Sequence, residues 1–203
     1  PHNPIGHEHL ANGDEVLMGV RVRTNAAGLR ENGNKVANEG AVRILMLGDS
    51  ITFGWGVEEQ NTVSSQLERK VAMSLSSQVH VLNSGVGNYN TAMEVAWFEK
   101  YGLDMRPDIV VLNMFINDAE PTPIYTNIHW WDKYLYSRII FFGAFDTLSR
   151  RLLGEADWQT YYNSLYQESA DGWLQMQNSV SKLVELCEEK DIQLVLANYP
   201  ELR

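Results

Sequence analysis

Apolar and polar positions along the chain switch between two periods. Val42–Leu47 (VRILML) is a short apolar run, the pattern of a strand buried on both faces. Val79–Asn83 (VHVLN), 108–115 (DIVVLNMF, after Pro107) and 192–199 (IQLVLANY, before Pro200) repeat that pattern. Between them the period lengthens to that of a helix. Asn61 or Thr62 can cap a helix running to Leu75, with Leu67, Val71 and Leu75 on one side. A second helix is expected over 91–101, with Ala92, Val95, Ala96 and Glu99 on successive turns, and one long helix or two over 157–190. The first 40 residues are rich in Gly, Asn and His and have weak periodicity. They read as an extended arm with a short strand at Val20–Arg23.

Strands alternating with helices imply right-handed crossovers and a parallel sheet covered on both faces, an α/β fold. In such sheets ligands sit at the C-terminal ends of the strands. The loops 48–56, 84–91 and 116–123 should therefore meet in one crevice. A length of 203 residues suits one domain with a full core. The expected division is an arm over 1–40 and a domain over 41–203, with an aromatic-rich insertion at about 121–157.

A net charge of −10 disfavours phosphate backbones, so nucleic acid is excluded as a partner class. Cys187 is the sole cysteine and can form no internal disulfide. No run of 18 apolar residues exists, and no signal peptide is visible. The sequence opens on Pro1 rather than Met and stops four residues after Tyr199. A parallel sheet ordinarily continues into a further helix, so a last strand or helix is expected to be missing.

The first loop reads GDSITFGWGV. A serine directly after a buried strand can present its hydroxyl at the sheet edge, with the following amides turned into the crevice. The same residues also suit a plain strand-to-helix turn. The second loop, NSGVGNYNT, has glycines and asparagines that allow positive φ and close backbone approach. The third, FINDAEP, offers an asparagine carboxamide to a developing oxyanion, or simply an Asx-turn or cap at Asn117 or Asp118. No lysine stands in the first loop, so it does not read as a phosphate-binding P-loop.

Three such loops, in this order, resemble the SGNH hydrolases, also called the GDSL family of esterases and lipases. The strongest piece is 43–57 (RILMLGDSITFGWGV), and the upstream 24–30 (TNAAGLR) is similar to a lead-in of a bacterial branch. The resemblance implies a three-layer α/β/α, flavodoxin-like architecture with a mainly parallel sheet. It implies Ser50 as nucleophile, with its own N–H as one oxyanion donor, a second-loop N–H as another and the Asn117 amide as a third. The family usually has glycine at the second-block position. Here that position falls on Asn88, just after Gly87, and either can carry the role. Asp49 and Asp118 are expected to be structural.

A serine hydroxyl needs an adjacent base. The family's base lies in an Asp-x-x-His block near the C-terminus. None of His2, His7, His9, His80 and His129 has Asp three residues before it. His80 falls inside a strand. His129, in the insertion, is a candidate pocket residue. His7 and His9 form an H-x-H pair, expected on a solvated arm and too few for a closed zinc site. The expectation is that the sequence ends before the catalytic Asp and His.

The insertion carries Trp130, Trp131, Tyr134, Tyr136, Phe141, Phe142 and Phe145. These can wall an acyl or sugar site, pack the insertion on the domain, or touch a membrane interface. The resemblance implies ester or thioester chemistry on a small-molecule or carbohydrate ester, with no cofactor and no metal. A sugar O-acetyl ester is favoured, and export or membrane anchoring is implied by resemblance alone. An acyltransferase at the same site, or a binding domain without the base, remains the alternative.

Overall fold

A computed structural model describes residues 5–30, 40–75, 78–122 and 158–199. Two short strands, β1 (Asp14–Leu17) and β2 (Val20–Arg23), form an antiparallel ribbon. Met18 and Gly19 turn it with φ of 52° and 79°, the left-handed pair that matches ribbon twist. The main sheet holds β3 (Val42–Leu47), β4 (Val79–Asn83), β5 (Ile109–Met114) and β6 (Gln193–Asn198), in the order β4-β3-β5-β6 and all parallel. The connections are α1 (Ser50–Phe53), α2 (Val63–Leu75), α3 (Thr91–Trp97), α4 (Trp158–Leu165) and α5 (Asp171–Glu189). The fold is α/β.

Register puts Leu45 beside Val110 and Val110 beside Leu194, and Leu47 beside Leu112. Paired residues of parallel strands share a face. That face packs into one cluster with Met93 and Phe98 from the α3 region and Leu183 and Cys187 from α5. The opposite face, carrying Ile44 and Met46, is buried as well. A sheet buried on both sides explains why β3 reads as an uninterrupted apolar run.

α2 and α3 start where the chain offers a side-chain acceptor. Thr62 Oγ1 accepts the Ser65 N–H at 3.3 Å before α2, and Asn90 Oδ1 accepts the Met93 N–H at 2.9 Å before α3. The helix expected over 91–101 is α-helical only to Trp97 and then widens into a π turn, Phe98–Gly102. Its inward residues are Met93, Glu94, Val95 and Trp97, while Ala92 and Ala96 are half-buried and Glu99 is exposed. The helical stretch over 157–190 is two helices. Among the described residues, the strand expected to be buried at 192–199 lies at the edge of the sheet, with Val195 41% and Leu196 51% exposed. Among the described residues no helix is long and apolar enough to cross a membrane. The aromatic insertion and His129 lie outside the described residues.

The chain runs from β3 out to β4, then back past β3 to β5. The switch point therefore lies between the ends of β3 and β5, where such sheets hold ligands. Ser50 follows β3, and Asn117 follows β5.

Candidate active site

The first loop leaves β3 through Gly48. A Cβ there would fall 2.0 Å from Thr52 Oγ1 and 3.2 Å from Asn113 Cβ, so the turn tightens only around a glycine. Asp49 then caps α1 by accepting the Ile51 N–H at 2.8 Å. This is the structural role expected of Asp49. Ser50, the first residue of α1, is half-buried.

The second loop lies directly on the first. The Val86 N–H donates to the Gly48 carbonyl at 3.1 Å, and Ser84 Oγ donates to the Met46 carbonyl at 2.7 Å. At Gly85 a Cβ would meet the Phe53 nitrogen at 2.3 Å, so backbone touches backbone there. Gly87 faces the indole of Trp55. Asn88 holds φ of 61°, the left-handed conformation that asparagine tolerates better than most residues.

The third loop closes the triangle. The Asn117 Nδ2 donates to the Tyr89 carbonyl at 3.3 Å, and the same amide stabilises the Asp49 carboxylate. Asn117 thus reaches the residue before Ser50 and the residue after Asn88. Asn90 Nδ2 also spans the two loops, donating to the Glu120 carbonyl at 2.7 Å. Asp118 accepts the Phe115 N–H, and its own N–H returns to the Phe115 carbonyl at 3.1 Å. This Asx-type closure is the structural role expected of Asp118.

Three carboxyls lie beneath these loops. Burial raises the Asp49 pKa, against the pull of the Ile51 N–H and the Asn117 amide. Burial pushes Asp118 up to about 7. Glu94 on α3 is 2% exposed, and among the described residues neither of its oxygens has a hydrogen-bond partner. Burial drives its pKa well above the ordinary carboxylate value, and the charges of Asp118 and Asp49 add to the shift.

Four residues of this region were not expected at the site: Arg30, read only as part of the lead-in, His7, read only as half of an H-x-H pair on the arm, and Tyr89 and Glu94, which were not singled out. Arg30, the last residue of the TNAAGLR lead-in, is 3% exposed. Its guanidinium donates to the Phe53 carbonyl at 2.7 Å and to those of Gly54 and Val57, pairs with Glu59 at 3.2 Å, and lies over the Phe53 ring. The arm is docked at both histidines, although His7 itself stays exposed and His9 is half-buried. His7 Nε2 donates to the Gly87 carbonyl at 2.8 Å, and His9 stacks on Phe53 with ring centres 4.4 Å apart. Burial lowers the His9 pKa. His80 is buried within β4.

The sequence model of the GDSL-like lipase/acylhydrolase family matches residues 46–195, most of the chain. The chain belongs to the GDSL-like lipase/acylhydrolase family. This is a family of serine ester hydrolases. No curated protein matches the sequence. Among solved structures, TesA is similar at 15% identity with a TM-score of 0.44, covering 76% of this chain and 58% of TesA. AlinE4, an SGNH-hydrolase family esterase, is similar at 20% identity with a TM-score of 0.37, covering 78% of this chain and 77% of that one. The lipase/acylhydrolase from Enterococcus faecalis is similar at 19% identity with a TM-score of 0.35, covering 75% and 74% of the two chains. This GDSL-like chain thus spans under two thirds of TesA's length. Ser50 stands at the sheet's switch point, with Asn117 reaching both neighbouring loops.

Proposed function

We propose that the protein is a serine esterase acting on carboxylic esters, with O-acetyl groups on a carbohydrate as the substrate class. The observation that carries the reading is Asn117, whose side-chain amide sits between Asp49 of the nucleophile loop and Tyr89 of the glycine loop. Three strand ends then surround one reacting carbonyl. Ser50 Oγ attacks the carbonyl carbon, and the C=O electron pair moves onto oxygen. That oxyanion is held by the Ser50 N–H, an N–H of the Gly87/Asn88 loop and the Asn117 Nδ2 group, which turns one of its two N–H bonds from the Asp49 carboxylate or the Tyr89 carbonyl to the substrate oxygen. Collapse expels the alcohol and leaves an acyl-enzyme on Ser50, which water then hydrolyses.

The reaction requires a general base, which takes the Ser50 hydroxyl proton on attack, passes it to the leaving alcohol on collapse, and then draws a proton from the hydrolytic water. In the family it is the histidine of an Asp-x-x-His block, and no histidine of this sequence stands in one. His7 and His9 are already engaged with Gly87 and Phe53. The preference for sugar O-acetyl groups, and export from the cell, rest on the likeness of residues 24–30 to an exported bacterial branch.

The test is a fluorophosphonate applied to the full-length protein. It should label Ser50 and fail on Ser50→Ala; equal labelling of that variant would sink the assignment. Asn117→Ala should lower turnover about 10²–10³-fold. Acetate released from an acetylated oligosaccharide, measured with and without a free sugar acceptor, separates hydrolysis from transfer.

A further inference from the structure

The peptide between Gly87 and Asn88 is held from outside. Asn88 is left-handed, a conformation that asparagine tolerates and that its neighbours keep in place. The brace comes from the N-terminal arm. A carbonyl oxygen can only accept, so the 2.8 Å contact between His7 Nε2 and the Gly87 oxygen makes the imidazole the donor. His7 is itself gripped twice by one residue. Tyr89 donates its hydroxyl to the His7 carbonyl, and the two rings meet edge-on at 5.3 Å. The main-chain carbonyl of Tyr89 accepts the Asn117 amide. A continuous run of contacts therefore joins His7, Tyr89 and Asn117.

In a trans peptide the C=O and the following N–H point in opposite directions, and no cis peptide occurs among the described residues. Fixing the Gly87 oxygen toward the arm turns the Asn88 N–H away from it. A hydrogen bond to that oxygen also polarises the N–H of the same peptide unit. We propose that His7 is a positioning residue of the oxyanion site, holding the Gly87 carbonyl so that the Asn88 N–H, rather than that of Gly87, is the second-loop donor. This rests on the esterase reading above.

The experiment measures the second-order rate of fluorophosphonate labelling at Ser50 in the full-length protein, since the phosphonyl oxygen occupies the same donors. His7→Phe keeps a ring against Tyr89 but has no N–H. His7→Gln keeps a donor of similar reach. His7→Phe should label about ten-fold more slowly, less than the 10²–10³ of deleting a donor outright. His7→Gln should stay within about threefold of the parent. With an ester substrate the His7→Phe loss should fall on kcat and leave KM unchanged.

A His7→Phe protein that labels at the parent rate, or a His7→Gln protein as slow as His7→Phe, overturns the proposal while Ser50-dependent labelling leaves the esterase reading standing. Labelling that survives Ser50→Ala, or a parent protein that does not label, overturns both. Melting temperatures are taken alongside. If His7→Phe fails to fold, His7→Asn replaces it, because the shorter amide does not reach Gly87. His7→Asn labelling as fast as His7→Gln would then overturn the proposal.

Discussion

The loops after β3 and β5 flank the same switch point but are held by opposite chemistry. The Ser50 loop is gripped from outside by a guanidinium that donates to three of its carbonyls and stays charged at any pH the fold experiences. The Asn117 loop is folded around the Asp118 carboxyl, which titrates near neutrality, with Tyr166 donating to the Phe115 carbonyl at 3.2 Å and the Ile116 carbonyl at 3.1 Å. The outside brace of the first wall is therefore independent of pH, although Asp49 within that loop is itself shifted upward by burial, while the second wall is folded around a titrating group. Ser50 sits on the first wall and Asn117 on the second.

The largest effect should come from removing the cation. Arg30→Met deletes the donors to the Phe53, Gly54 and Val57 carbonyls and leaves Glu59 without its partner. Removing one member of a buried pair costs about 3–5 kcal/mol. Arg30→Lys keeps the charge but not the fork, so its stability should fall between the two. Urea denaturation of the three proteins checks this, and a loss below about 1 kcal/mol for Arg30→Met would show that the loop holds itself.

The second effect is a pH slope that comes chiefly from the other wall. Asp118 has its ordinary value of 3.8 in the unfolded chain and about 7 in the fold. Between these values the unfolded chain has lost a proton that the folded protein keeps. Stability therefore falls as pH rises through that window and levels off above it, by about 2–4 kcal/mol. Asp118→Asn can still accept the Phe115 N–H and has no proton to lose. It should be more stable than the parent at neutral pH and have a flatter profile. Some slope will persist, because Asp49 and Glu94 are shifted in the same direction. Parallel slopes for Asp118→Asn and the parent across about pH 4–8 would remove Asp118 as the source.

How much of this was legible in the sequence follows a physical divide. Val42–Leu47 and Val79–Asn83 form strands over the residues read from the pattern, because each is a compact apolar run ended by Gly48 or by Asn83 and Ser84. Ser50 and Asn117 come to one place because parallel strands send their C-terminal loops to one edge. The left-handed Asn88 was foreseen from asparagine's tolerance. Arg30 and His7 were not legible as site residues, since their partners lie 23 to 80 positions away and the arm has no periodicity to announce a docked face. Glu94 was not among the residues singled out on α3, and only the packed structure shows its burial. The apolar pattern of 192–199 gave a strand but not what covers it, so edge exposure at Val195 and Leu196 was missed.

The smallest effect tests whether that edge strand matters to the switch point at all. Asn113, 4% exposed on β5, donates through Nδ2 to the Leu47 carbonyl at 2.8 Å, which ties the last residue of β3 to β5 just before Gly48. Its Oδ1 accepts the Tyr199 hydroxyl at 3.1 Å, from the residue following β6. The amide is thus oriented from the edge so that its NH₂ faces β3. Tyr199→Phe keeps the ring and leaves the Asn113 oxygen without that donor. The cost should be about 1 kcal/mol, because a buried acceptor loses one neutral hydrogen bond. If β6 only covers the sheet, the change should be near zero, and Asn113→Ala should cost the same in either background. If Tyr199 orients Asn113, the two changes should not add: with Asn113 gone, the hydroxyl has no acceptor left to position, and Tyr199→Phe should become neutral. A double-mutant cycle by urea denaturation decides between these outcomes. A coupling near zero would place the whole switch point on β3 and β5, and leave the edge strand out of the site.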